Sequence, residues 1–306
     1  MSQKQYIRKF NLTVAGASGS GLDLSGLHVQ FTVKKTDAQT PNTAQIRIFN
    51  IAPNTIAQIQ REFTRVILQA GYESNYGVIF DGNIKQVRSG KQNGIDTFLD
   101  IAAGDGDDAY NFAVVSTTLA AGATQADQIN AAAQPMSERN IKTGYIGDTG
   151  NTKLSRGKVM HGMSRDYLRQ SAEASDSSWS VQDGRLQVLP LTAVLPNQAV
   201  VLNSKTGLIG TPEQTNDGIT AVALLNPLLK IGGKVKIDEA SVQRALVPES
   251  RPDDSANKPA SLASDGFYRL LAVQIKGDTR GNDWYSELTC LDIDETQPPS
   301  KQVKPV

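Results

Sequence analysis

The chain has 306 residues, 39% of them hydrophobic and 20% charged, with 31 basic and 31 acidic side chains and a formal net charge of zero. That length fits about two domains, each able to bury a core, and the composition is that of a folded chain and not a disordered one. The balanced charge argues against tight binding of nucleic acid through a basic excess.

No run of about 18 apolar residues is present, so no transmembrane helix is expected. Met1 to Phe10 is polar and lacks the apolar stretch of a signal peptide, so synthesis and folding in the cytoplasm are expected. The single cysteine, Cys290, has no partner for an internal disulfide and sits in a strand-like run, where it reads as a small buried hydrophobe.

The first third alternates with period two. Val29, Phe31 and Val33 share one side of a run ending at Lys34, and Ile46 and Ile48 share one side of Ala44 to Phe49. Thr64 to Tyr72, Val78 to Val87 and Ile95 to Ile101 continue the pattern, with Ile95, Thr97, Leu99 and Ile101 on one face. Turn chemistry lies at Gly71, Asp81-Gly82 and Asn93-Gly94. One helix interrupts: Ile56, Ile59 and Phe63 line one helical face, with Asn54 as N-cap and Pro53 ending the preceding strand. The first 105 residues therefore read as an antiparallel sheet or barrel with one short packed helix.

The middle, residues 106–205, reads as a small α+β unit. Ala123 to Gln134 is Ala- and Gln-rich and predicts a helix. A second runs from Ser164, as N-cap, to Ser175, with Leu168 and Ala172 on one face. Asp183-Gly184, between the alternating runs Trp179/Val181 and Leu186/Val188, predicts a two-residue hairpin turn. In the last third Lys234 to Asp238 alternates. Phe267, Leu271, Val273 and Ile275 are expected on one face of a strand, and Trp284, Ser286, Leu288 and Cys290 on one face of the final one. Residues 239–264, rich in Pro, Ser and Asp, read as a long loop, and the chain after Glu295 as a flexible end.

Motifs for catalysis are weak. His28 lies on the polar side of a strand and His161 in a loop before a helix, neither beside a nucleophile in sequence. Asp105-Gly106-Asp107-Asp108 lacks the spacing and closing Glu of a calcium loop and reads as a turn between units. Gly16 to Gly21 is followed by Leu22 to Gly26 and then a strand, not by the helix N-terminus that a phosphate-binding loop needs, and Gly144 to Gly150 fails the same test. Lys34-Lys35, Arg61, Arg65, Lys230, Lys234 and Lys236 do not interleave with aromatics and read as solvated faces, not a nucleic-acid groove. No catalytic residue, cofactor or metal is expected.

Three stretches, taken in order, carry a resemblance. The first runs from Phe31-Thr32-Val33-Lys34-Lys35 through Pro41-Asn42-Thr43-Ala44-Gln45-Ile46-Arg47-Ile48-Phe49-Asn50 and the helix at Ile56 to Phe63. It continues to Val66-Ile67-Leu68-Gln69-Ala70-Gly71-Tyr72 and Ile79-Phe80-Asp81-Gly82-Asn83-Ile84. The second is Gly207 to Asp238, with Leu224-Leu225-Asn226-Pro227 and Gly232-Gly233-Lys234-Val235. The third runs from Phe267-Tyr268-Arg269-Leu270 through Gly277-Asp278 to Trp284. Together they resemble the baseplate hub proteins of long-tailed bacteriophages over most of the chain. The resemblance implies a mainly β protein with two tail-tube-like antiparallel β-barrel domains, 1–105 and 206–297, flanking a small α+β domain at 106–205, with 298–306 as a flexible tail.

It further implies a structural, non-enzymatic role in the virion, in the tail baseplate. A homotrimer would present six barrels, adapting the sixfold tail tube to a threefold central spike around a channel that genomic DNA crosses without specific binding. The implied partners are the tail tube protein, the central spike protein and other baseplate and tape-measure proteins, with no membrane. Contact residues are expected at Ile56, Ile59 and Phe63 and at Asn226 and Pro227. The chain departs from some relatives in having no recognisable lysozyme or peptidase module. Rival readings are a carbohydrate-binding module of a tail fibre, a phage hydrolase using His161, and a tube or hub component of a non-phage contractile injection system.

Overall fold

The structure, a computed structural model, describes residues 7–16, 21–92, 94–215, 218–237, 263 and 265–293. The expected loop at 239–264, apart from residue 263, and the terminal segment lie outside the described residues, as does the stretch 17–20 within the glycine-rich segment.

Alternating apolar residues build strands throughout the first third: β1 (Arg8–Gly16), β2 (Gly21–Asp23), β3 (Val29–Thr36), β4 (Thr43–Phe49), β5 (Phe63–Tyr72), β6 (Asn75–Gln92) and β7 (Asp96–Gly104). Helix α1 (Pro53–Glu62) sits between β4 and β5. It starts one residue before the expected cap: Ala52 occupies the N-cap without a side-chain bond, and Pro53, whose fixed φ suits a first turn, begins the helix. The turn expected at Asp81-Gly82 is absent, because β6 runs through it. Gly82 is needed there because a Cβ would meet the Gly104 carbonyl oxygen at 2.6 Å. Gly71 likewise lies inside β5, and the chain reverses at residues 73–74, between the Tyr72↔Asn75 pair.

The middle holds α2 (Asp107–Phe112), β8 (Val114–Leu119), α3 (Gln125–Ser137), β9 (Lys142–Ile146), β10 (Lys158–Met163), α4 (Ser164–Ala174), β11 (Ser177–Gln182) and β12 (Arg185–Pro190). Thr124 and Asp127 close a reciprocal capping box on α3. Ser164 is the first residue of α4, not its cap; Met163 occupies the cap position. The hairpin turn is as expected, with Asp183 at φ 53° and Gly184 at φ 74°, both positive as a type I′ turn requires. Ile129, Met136, Leu168, Trp179 and Val188 form a separate small core.

The last third supplies β13 (Val200–Leu202), β14 (Leu208–Thr215), β15 (Gly218–Leu224), β16 (Lys234–Ile237), β17 (Phe267–Asp278) and β18 (Trp284–Asp292). The face expected for β17 shifts, because its pairing slips between Leu270 and Ala272. An extra residue at a bulge switches side-chain parity, so Tyr268 and Leu270, rather than Phe267 and Leu271, join Val273 and Ile275 in the core.

The protein is mainly β and its ladders are antiparallel, apart from β13–β16 and β9–β12. The first and last thirds form one 13-stranded sheet in the order β14-β15-β18-β17-β3-β4-β7-β6-β5-β1-β2, with β16 also on β17 and β13 on β16. A repeat hidden from the sequence emerges. The successive strands β3, β4, β5, β6 and β7 lie in the spatial order β3-β4-β7-β6-β5, and β14 to β18 lie in the matching order β14-β15-β18-β17-β16, every pair antiparallel. The units are joined by β17 and β3, paired from Ala272↔Thr36 to Asp278↔Gln30. One apolar core serves both, and Trp284 packs edge-on to Phe31 at 5.6 Å and Phe10 at 6.4 Å. Among the described residues no pairing links β3 to β2 in the first unit or β14 to β13 in the second, so the expected closed barrels are not found. The second half of β17, instead of closing on its own unit, pairs with the neighbouring one.

Candidate functional site

The polar side of the joined sheet carries the charge. Residues directly opposite on neighbouring strands form a row across β17, β3, β4, β7 and β6: Asp278, Gln30, Arg47, Asp100 and Arg88. Gln30 Nε2 donates to Asp278 at 2.9 Å, and Arg47 grips Asp100 through two bonds of 2.7 and 2.9 Å. Arg88 adds a looser contact to Asp100 at 3.7 Å. The next row holds Lys276, Thr32, Gln45, Ala102 and Gln86, with Lys276 bonded to Glu287 at 2.8 Å. These rows line an open groove of about 500 Å³. Burial alone would raise the Asp278 carboxyl, but hydrogen bonds from Gln30, the Arg280 amide, His28 and the Gly281 amide bring it down to about 2. Acid and base alternate along the groove, and Arg47, Asp100, Lys276 and Asp278 each have a partner within the chain.

A second polar cluster is buried where the middle unit meets the sheet. Asp105, just past β7 and 0% exposed, accepts the backbone N–H groups of Asp183 at 2.6 Å and Gly184 at 2.9 Å. The Asp183 carboxylate in turn receives Lys35 and, at 2.8 Å, Lys230. Asn42 Nδ2 donates to the Val181 carbonyl and to Gln182 Oε1, both at 2.9 Å. Arg269 Nη1 donates to the carbonyls of Pro190 at 2.9 Å and Leu191 at 2.6 Å. Burial, reinforced by the adjacent Asp183 charge, pushes the Asp105 carboxyl up to about 7. Burial also acts on Asp183, but Lys35 and Lys230 outweigh it and hold that carboxyl at about 2. The cluster fixes the β11–β12 turn to strands from both β units.

The residues expected at contacts are all buried or half-buried within the chain itself. Ile59 is fully buried, Phe63 nearly so, and Ile56 half-buried against the chain's own core. The side of α1 that faces solvent is instead Asn54, Gln58, Gln60, Arg61 and Glu62. Asn226 and Pro227 are also buried: Asn226 Oδ1 accepts from Asn75 Nδ2 at 2.6 Å, and Pro227 packs beside Gly77. They dock the second β unit on the β5–β6 turn, and Leu228 beside them is the exposed residue.

His28 precedes β3, bonds Asp278 at 2.8 Å and stacks on Phe49. His161 lies in β10, not in a loop, with Nδ1 3.3 Å from Ser116 Oγ on a solvent-facing side of the β8–β10 pair. Among the described residues no third side chain orients that imidazole, and the nearby Tyr167 hydroxyl bonds its backbone. Among the described residues no group of three His, Cys, Asp or Glu is placed to hold a metal, and no helix is long and apolar enough to cross a membrane.

Sequence reading missed the buried cluster because its members lie far apart; Asp105 and Asp183 appear there only as separate turns. One signal was available. Lys35 continues the inward series Val29, Phe31, Val33 and is 3% exposed, and a lysine at a core position demands a buried partner.

A family model described as "Baseplate hub gp41" matches residues 10–241. Solved structures share the fold. The 43 kDa tail protein of prophage MuSo2 from Shewanella oneidensis aligns with a TM-score of 0.60 at 8% identity, covering 94% of this chain and 99% of that one. A tail protein from Neisseria meningitidis aligns with a TM-score of 0.57 at 12% identity, covering 92% and 96%. An E. coli component of the type VI secretion system, described as structurally similar to the T4 bacteriophage tail proteins gp27 and gp5, aligns with a TM-score of 0.54 at 8% identity, covering 97% and 80%. Comparison with curated protein sequences gave no match.

Proposed function

Because this chain belongs to the baseplate hub gp41 family, we propose that it is a structural, non-enzymatic hub of a bacteriophage tail baseplate. Three copies form a ring of six β units, adapting a sixfold tail tube to a threefold central spike, with other baseplate and tape-measure proteins around it and DNA passing through the middle. The observation that carries this reading is the repeat: two units of one strand order, already joined edge to edge within one chain. A chain that places two equivalent units side by side turns threefold symmetry into near-sixfold symmetry without a second protein. The charge-paired groove supports a channel wall that DNA passes without being held. Phosphate binding needs unanswered Lys and Arg, whereas Arg47 is committed to Asp100 and Lys276 to Glu287.

The test is the mass of the purified chain by light scattering over a concentration series, alone and co-expressed with its tail-tube protein. A species near three times 32.9 kDa is expected; a monomer under both conditions overturns the hub reading. The fold shared with the type VI secretion component supports a second context, a hub in a non-phage injection system, and the tube protein that co-purifies decides between them. A glycan-binding role finds little support, since Trp179 is 0% and Trp284 2% exposed and neither forms a surface platform.

A further inference from the structure

The two β units differ at one edge. In the second unit, β17 pairs with β16 over Phe267 to Arg269, slips register between Leu270 and Ala272, and then pairs with β3 from Ala272 to Asp278. In the first unit, β6 occupies the equivalent place. It pairs with β5 from Asn75 to Asn83, slips register between Ile84 and Gln86, and continues to Gln92. Both second halves span seven residues beyond the slip. That of β6 has β7 on one edge and, among the described residues, no strand on the other.

The strand that would fill it is defined by the same correspondence. β3, which fills β17, is the outermost strand of its unit; its counterpart is β14, also outermost, with no strand on its far side among the described residues. Building on the hub reading, we infer that the second half of β6 pairs antiparallel with β14 of a second copy, repeating between chains the β17–β3 seam found within one. Two different free edges on one chain, one on β14 and one on the second half of β6, join copies head to tail, and such contacts form a ring where the rotation between copies closes.

Further observations favour this occupant. The free half of β6 exposes Arg88 and Lys91, and β14 exposes Glu213. Transferring the seam's register sets Glu213 opposite Gly90, diagonal to Arg88 on the polar face. Ile95, at the tip of the β6–β7 arm, continues the core side of Leu99 and Ile101 yet is 87% exposed. The equivalent tip between β17 and β18 is covered, Arg8 of the other unit donating to Gly281 and Asn282 at 2.7 and 3.0 Å. Pro212 in β14 lacks an N–H and removes one donor from the new ladder.

In the seam the Thr279 N–H points to β3 and the Asp278 N–H away from it, so by alternation the Lys91 N–H faces the free edge of β6. Lys91→Pro therefore deletes an inter-chain donor and leaves the β6–β7 ladder intact. It is expected to dissociate the trimer at least tenfold more readily in light scattering, with an unchanged circular dichroism melt. Should that variant misfold, Arg88→Cys combined with Thr215→Cys, opposed in the same register where the β14 ladder is regular, gives inter-chain disulfides under mild oxidation while either single variant gives none. Buried Cys290, its thiol pushed up to about 12 by burial, stays out of the exchange. A wild-type trimer that neither crosslinks through this pair nor weakens with a folded Lys91→Pro overturns the seam and leaves the hub reading standing. A wild type that stays monomeric even with its tube protein overturns both.

Discussion

The buried junction and the open groove are built from the same side chains, carboxylates facing lysines and arginines, yet their surroundings give them opposite weight. At the junction, Lys35 and Arg269 are each 3% exposed and Asp105 is 0% exposed, so each charge has left water and depends on its partner. In the groove, Arg47 and Arg88 sit at the surface, where water screens their attraction to Asp100. An ion pair therefore tells little about stability until its burial is known. The junction holds the three parts of the chain in one arrangement, and the groove keeps a broad surface wet and electrically quiet.

The sharpest way to break this comparison is to orphan a junction charge. Lys35→Ala leaves Asp183 buried with only Lys230, and a loss of about 3–5 kcal/mol is expected in urea unfolding. The double variant Lys35→Met with Asp183→Asn, which leaves no buried charge unanswered, recovers most of that loss; a double variant as unstable as the single would mean that the pair's geometry, not its charge, fixes the turn. Arg269→Met is expected to come next, at about 2–3 kcal/mol, because it leaves the Pro190 and Leu191 carbonyls without their buried donor.

A pH series sharpens the same contrast. Asp105 titrates at about 7 in the fold against 3.8 in the reference state, so the folded protein binds the proton more tightly, and its contribution falls as pH rises from about 4 to 7. Asp183 titrates at about 2 against 3.8, so its contribution is complete above about 4 and is lost as pH drops towards 2. Asp105→Asn is expected to flatten the slope between pH 4 and 7 in thermal melts; an unchanged slope would assign it to another group. The smallest effect belongs to the groove. Arg47→Ala is expected to change stability by about 0–1 kcal/mol, and a loss as large as that of Lys35→Ala would erase the distinction.

Much of the local structure was legible in the residues. Period-two alternation marked most of the long strands. Ala- and Gln-rich composition marked α3, and Asp183-Gly184 marked a hairpin whose two turn residues do take positive φ. The errors share a cause. Asp81-Gly82 resembles a turn, but Gly82 is small because the Gly104 carbonyl passes against it, and the β17 face slid by one residue because a bulge leaves no mark in composition. Ile56, Ile59 and Phe63 were legible as an apolar stripe, yet a stripe does not say whether it faces its own core or another chain. Here it faces its own core.

From the sequence alone came the secondary-structure types, the mainly β character and the order of motifs that points to the baseplate hub family, because these depend on spacing along the chain. The tertiary structure alone decided that β17 crosses to β3, that five strands repeat in one order, and that Lys35 and Asp183 meet across 148 positions. Each of these is a choice of partner between segments far apart. Such choices are set by competition among edges and by the need to answer every buried charge, and neither is written in any local pattern.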